Sequence, residues 1–172
     1  MVTGEQCTIC WYVDDSKISY VDSKIVDWAI ENIEKQFGKM IVKRGKQHTF
    51  VGMDIIFTKE KTVQITMKGH IKECFEAFHI FDEEISKGAN TPAKSKLFEI
   101  DELAIPLDET KSEGFHHIVA KLLFVTKRAR IDVDLTVSFL CTRVSRSDIN
   151  DWEKLRRLLR SLYDIIYLVR TL

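Results

Sequence analysis

The chain has 172 residues, 45% hydrophobic and 30% charged, a composition that suits a globular fold and excludes disorder throughout. Its formal net charge is zero, yet residues 1–72 carry +2, residues 73–114 carry −7 and residues 115–172 carry +5. No apolar stretch approaches the roughly 20 residues of a spanning helix, and the first six residues lack the charged-then-apolar plan of a signal peptide, so the expected location is intracellular with no membrane partner. Cys7, Cys10, Cys74 and Cys141 are too scattered for a disulfide framework, and Cys7-x-x-Cys10 has no second ligand pair for zinc, so it reads as ordinary strand cysteines.

Thr8 to Val13 alternates, with Thr8, Cys10 and Tyr12 on one face and Ile9, Trp11 and Val13 on the other, which predicts a strand. Ile18 to Val21 is its expected return partner, with the turn at Asp14-Asp15. Asp22 suits a helix N-cap, and Ile25, Ala29, Ile33 and Phe37, flanked by Val26 and Ile30, form a stripe that ends at Gly38 and is expected to pack on the sheet. Val51, Met53, Ile55 and Phe57, then Val63, Ile65 and Met67, predict a second hairpin around Lys59-Glu60-Lys61. A short helix carrying Ile71, Phe75 and Phe78 follows. From Asp82 to about Ser112 periodicity fails and Pro92 and Pro106 punctuate an acidic connection. Three helical stripes close the chain: Phe115, Ile118, Val119, Leu122 and Leu123; then Ile131, Leu135, Phe139 and Thr142; then Trp152, Leu155, Leu159 and Leu162, entered through Ser145-Arg146-Ser147-Asp148.

A tight hairpin turn favours Asn-Gly or Asp-Gly, and Asp14-Asp15 supplies no glycine. Two carboxylates about 4 Å apart repel by roughly 1 kcal/mol in water and about 4 kcal/mol at an effective dielectric near 20, so the pair is tolerable on a wet loop and costly in a cleft. Magnesium, or manganese in its place, would remove that cost, because hard cations take carboxylate oxygens and complete their shells with water and phosphate. A solvated acidic turn is the alternative.

Tyr12-Val13-Asp14-Asp15 between two short apolar strands resembles the Tyr-x-Asp-Asp hairpin of reverse transcriptases. Phe50-Val51-Gly52-Met53-Asp54-Ile55 is similar to the run that follows the catalytic hairpin and its helix in copia-type retrotransposon reverse transcriptases, near the primer grip. Thr91-Pro92, the segments Leu122–Asp132 and Val137–Ser145, and the Trp152–Arg160 helix resemble later elements of that family in the same order. Ser16-Lys17, Ile131 and Ser161-Leu162-Tyr163 depart from its pattern.

The resemblance implies an α+β fold: a partial polymerase palm of two β-hairpins and a packed helix over residues 1–67, a thumb-like helix and acidic connection over 68–113, and a helical connection region over 114–172. It implies that Asp14 and Asp15 are catalytic metal ligands and that Tyr12 and Val13 shape the floor near the primer end. Phe50, Val51 and Gly52 would lie near the primer strand, or Phe50 and Val51 simply pack on the helix. Lys127, Arg128, Arg130 and Arg143 touch the nucleic-acid backbone or serve as solvated surface charge, and both readings stay open.

In the intact family enzyme the partners are RNA template, DNA primer and deoxynucleotide triphosphates, and two magnesium ions about 3.5–4 Å apart support transfer to the primer 3′ hydroxyl. The parent element would place the remainder of its polyprotein beside this chain, in the cytoplasm within a virus-like particle. The family's upstream catalytic Asp, fingers and ribonuclease H domain are not expected within this sequence, so the chain alone is expected to be inactive. The alternatives are a non-catalytic remnant that binds nucleic acid or protein, and a poorly folded pseudogene product.

Overall fold

Residues 6–86 and 88–172 are described by a computed structural model. They form an α+β fold with two antiparallel sheets and five α-helices. Strand β1 (Thr8–Tyr12) pairs with β2 (Asp15–Ser19), from Thr8 opposite Ser19 to Tyr12 opposite Asp15. The turn is therefore Val13-Asp14, one residue earlier than the expected Asp14-Asp15, and Asp15 opens the return strand.

Helix α1 (Ser23–Phe37) starts where Asp22 accepts a hydrogen bond from the Lys24 backbone N–H at 2.9 Å. It stops at Gly38, whose φ of 88° few other residues adopt and whose N–H donates to the Glu34 carbonyl at 2.9 Å. Its stripe is covered only in part: Ala29 is buried, Ile25 and Ile33 are half-buried, and Phe37 is exposed with its ring centroid 6.1 Å from that of Trp11 on β1. A helix of 15 residues is about 22 Å long, whereas two strands present a width of about 10 Å, too narrow to cover the stripe.

The second sheet has the order β3-β4-β5-β6. Strands β3 (Gln47–Phe50) and β4 (Met53–Phe57) pair with Phe50 opposite Met53. Val51 and Gly52 are thus a two-residue turn with φ of 50° and 71°, as a type I′ turn requires, and Val51 is not the strand residue the alternation suggested. Strand β5 (Val63–Thr66) returns as expected, across a turn braced by the Thr58 and Thr62 hydroxyls at 2.8 Å. Strand β6 (Arg170–Thr171) adds the last edge, where Val63 and Leu172 exchange backbone hydrogen bonds of 2.9 Å.

The core lies between this sheet and helices α2 (Lys68–His79), α3 (Glu109–Thr126), α4 (Asp134–Cys141) and α5 (Ile149–Asp164). Met67, Ile71, Cys74 and Phe78 meet Phe115, Ile118, Val119 and Leu122, with Trp152, Leu155, Leu159 and Leu162 from α5. Trp152 stacks on Phe78 with centroids 4.8 Å apart, and its indole N–H donates to Asp82 at 2.6 Å. Both rings are buried, so the stack joins the start of α5 to the end of α2.

The face expected for α4 is reversed. Val133, Val137 and Leu140 enter the core while Ile131 and Leu135 are exposed, and half-buried Phe139 packs against the core with Phe98 over it at 5.6 Å. Both faces of this short helix are apolar, so periodicity alone does not choose between them.

Between α2 and α3 the described residues hold turns and no helix or named strand. The segment is nevertheless anchored by buried Ile85, Ala89 and Leu97, and by backbone bonds from Leu107 to Ser147 (3.0 Å) and from Ile149 to Ile105 (3.1 Å). Asp148 caps α5 by accepting from the N–H groups of Asn150 (2.8 Å) and Asp151 (2.9 Å), and the Asp151 carboxylate accepts from the Asp148 N–H at 3.4 Å.

Candidate functional site

At the tip of the first hairpin, Val13 has a φ of 52°. A β-branched side chain in the left-handed region is a steric outlier, with a cost on the order of 1–3 kcal/mol. The Trp11 indole N–H donates to the Val13 carbonyl at 2.8 Å and helps hold that conformation. Asp14 and Asp15 are both exposed, and neither carboxylate makes a hydrogen bond or ion pair with another described residue. The nearby Lys17 does not neutralise them: its ammonium donates to the Ser19 hydroxyl at 3.0 Å and lies 5.1 Å from the Phe57 ring centroid.

Two neighbouring carboxylates on exposed residues can present hard ligands to a cation that keeps most of its waters. Among the described residues no group of three or more His, Cys, Asp or Glu side chains could hold a metal ion.

The structure does not join Phe50, Val51 and Gly52 to this tip by any hydrogen bond or ring contact. The Lys17–Phe57 contact links the hairpins at the end of β4 opposite the Val51-Gly52 turn. Gly52 instead packs on α2, where an added Cβ would lie 2.5 Å from His70 Cε1. The His70 ring stacks on Phe124 of α3 at 5.5 Å, and the Arg128 guanidinium lies 3.6 Å from the Phe124 centroid on its other contact. The glycine turn is thereby tied to the helical region through a column of rings.

The four candidate backbone-contacting cations separate into two kinds. Arg130 is buried, bonds Asp132 through Nε (2.8 Å) and Nη2 (2.7 Å), and donates from Nη1 to the Ile165 carbonyl at 3.2 Å. Arg143 is also buried, with Nε on Asp151 at 2.8 Å and Nη2 on Asp148 at 3.1 Å. Burial opposes its charge, but the two carboxylates outweigh that and hold it above the usual arginine range. Arg130 and Arg143 thus turn most of their donors to internal carboxylates and carbonyls, which leaves little of either guanidinium for a phosphate. Lys127 pairs with Asp134 at 2.8 Å on the surface, and the bonds from Lys127 and Thr126 hold Asp134 below the usual carboxylate range. Arg128 lies on Phe124 with Nη1 on the Phe124 carbonyl at 3.2 Å.

A second candidate region was not anticipated from the sequence. A cavity of about 530 Å³ lies between residues 88–101 and one face of α5. The available signal was the Arg156, Arg157 and Arg160 spacing, which puts three guanidinium groups on neighbouring turns of α5.

No family model and no solved structure matches this chain. A Transposon Ty1-NL2 Gag-Pol polyprotein from Saccharomyces cerevisiae is 22% identical to it over 150 residues, which cover 82% of this chain. The chain spans 8% of that polyprotein's length. The similarity points to a retrotransposon-derived sequence that corresponds to one stretch of a larger polyprotein. No helix among the described residues is long and apolar enough to cross a membrane.

Proposed function

We propose that this chain corresponds to the later part of a copia-type reverse transcriptase domain, an RNA-directed DNA polymerase segment that is inactive alone. The observation that carries the reading is the Tyr12-Val13-Asp14-Asp15 turn, with backbone strain at Val13 and two exposed carboxylates that no other described side chain engages. Strain of this kind persists where surrounding structure over-determines it and clusters at functional sites. The 22% identity to a Gag-Pol polyprotein supports a retrotransposon origin, with which this reading is compatible.

In the intact enzyme Asp14 and Asp15 would hold part of the magnesium, or manganese, on which phosphoryl transfer depends. The chain's own residues supply the rest of a platform: β1 and β2 fix the carboxylates at one end of a hairpin, and Tyr12 and Val13, both exposed, form the surface beside them. RNA template, DNA primer and deoxynucleotide triphosphates are the proposed partners of the intact enzyme, and a cytoplasmic particle its proposed location.

The test is nucleotide incorporation on a primed RNA template. The isolated chain is expected to give none, and incorporation abolished by Asp14→Asn would overturn the claim that further carboxylates are needed. Salt-sensitive template-primer binding that is indifferent to Asp14→Asn would instead mark a non-catalytic nucleic-acid binder.

A further inference from the structure

The cavity beside α5 is lined by six cations against three carboxylates, and most of these charges are already engaged. Arg156 bonds both Asp82 and Glu153, Lys154 donates to the Glu99 carbonyl at 2.8 Å, and Lys96 pairs with Glu99 at 3.1 Å. Three cations and one carboxylate are left over, Asp101 accepting from the Leu103 backbone N–H at 3.0 Å. Arg157 Nη2 donates to the Thr91 hydroxyl at 2.9 Å, but its Nε is buried without a partner. Arg160 Nε is likewise buried and unpartnered, and neither the Arg160 nor the Lys94 side chain makes a hydrogen bond or ion pair with a described residue.

A buried guanidinium N–H without an acceptor is costly, since it has given up water and received nothing in return. The two side chains that carry them, three residues apart on one helix, line one cavity together with an exposed lysine. Guanidinium forks match the paired oxygens of phosphate or carboxylate. The opposite wall is apolar, with Ala89, Pro92, Leu97 and Ile100. A volume of about 530 Å³ sits within the roughly 300–1,000 Å³ typical of small-molecule sites.

We propose that this cavity binds a small organic anion, with its phosphate or carboxylate on Arg157, Arg160 and Lys94 and an apolar or aromatic body against Pro92, Leu97 and Ile100. The site is independent of the Asp14-Asp15 turn and does not rest on the polymerase reading.

The probe is adenosine monophosphate, titrated into the full chain by calorimetry and by amide chemical shifts, with adenosine and inorganic phosphate in parallel. Saturable binding is expected, with the largest shifts in residues 89–101 and 153–160, competition by phosphate, and affinity for adenosine roughly tenfold weaker or less measurable. Arg160→Met keeps the apolar stem and is expected to weaken binding about tenfold. Should that variant fail to fold, Lys94→Ala, at an exposed loop position, carries the same test with an expected loss of a few-fold. Equal affinity for adenosine, unchanged affinity in folded variants, no saturation by adenosine monophosphate, or saturation by a single-stranded oligonucleotide alone would each overturn the proposal.

Discussion

Replacing Asp151 by Ala perturbs the most buried ion-pair network among the described residues. Its side chain is 1% exposed and accepts from Arg143 Nε at 2.8 Å and from the Asp148 N–H at 3.4 Å, and Lys154 Nζ lies 3.5 Å away. The Arg143 side chain is 9% exposed, so the substitution leaves a cation with little water to replace the lost carboxylate. Breaking a buried pair from one side typically costs 3–5 kcal/mol. Asp148 remains 3.1 Å from Arg143 and still caps α5, so the expected loss is at the low end, about 3 kcal/mol. For a chain of this length that is a drop in melting temperature of roughly 6–12 °C.

Urea denaturation followed by circular dichroism and tryptophan fluorescence measures it. Arg143→Met in the same chain separates the pair from the site: the double variant is expected to be less destabilised than the sum of the singles, by about 1–3 kcal/mol. A single-variant change below about 0.5 kcal/mol at unchanged m-value, or strict additivity in the double variant, would refute the claim that Arg143 is an internal anchor.

Asp82 gives a pH-dependent prediction. Burial raises its pKa, but hydrogen bonds from Trp152 and Arg156 outweigh that and leave it below the usual carboxylate range. Its folded pKa is thus lower than its unfolded value, so its contribution is present above the usual carboxylate range and lost as pH falls through the folded pKa. Asp82→Asn is expected to destabilise the chain at pH 7 and to converge with the parent in acid melts; a constant gap across pH would contradict this. Gly52→Ala is expected to cost about 1–3 kcal/mol, because φ is 71° and the new Cβ would meet His70. His70→Ala in that background should recover the steric part alone, as read by thermal melts. Burial pushes the Cys74 thiol up to about 12, so iodoacetamide at mildly alkaline pH is expected to spare Cys74 and modify exposed Cys10, as mass spectrometry resolves.

The elements with strong local signals were legible in the sequence. Asp22 and Gly38 bound α1 as their chemistry dictates, and β4 and β5 follow from alternating apolar residues. Strand β3 was not visible because Gln47-His48-Thr49-Phe50 has no apolar alternation, and its pairing is fixed by a glycine turn instead. The two-residue strand β6 depends on a partner more than 100 positions away, which no local window contains. Register in the first hairpin slipped by one residue for a related reason: the turn tolerates positive φ at Val13, a residue that propensity would never choose there. Arg130 and Arg143 looked like surface cations because Asp132, Asp148 and Asp151 also look like surface acids. Once the helices pack, the two sets satisfy one another away from water.

The central claim is that Asp14 and Asp15 are cation ligands, and paramagnetic broadening by manganese tests it most directly. In a titration of the full chain followed by amide spectra, broadening is expected first at residues 13–16, reversed by excess magnesium and lost in Asp14→Asn. Broadening spread over the acidic 73–114 region with no preference for the hairpin, or unchanged at the hairpin in Asp14→Asn, would contradict it.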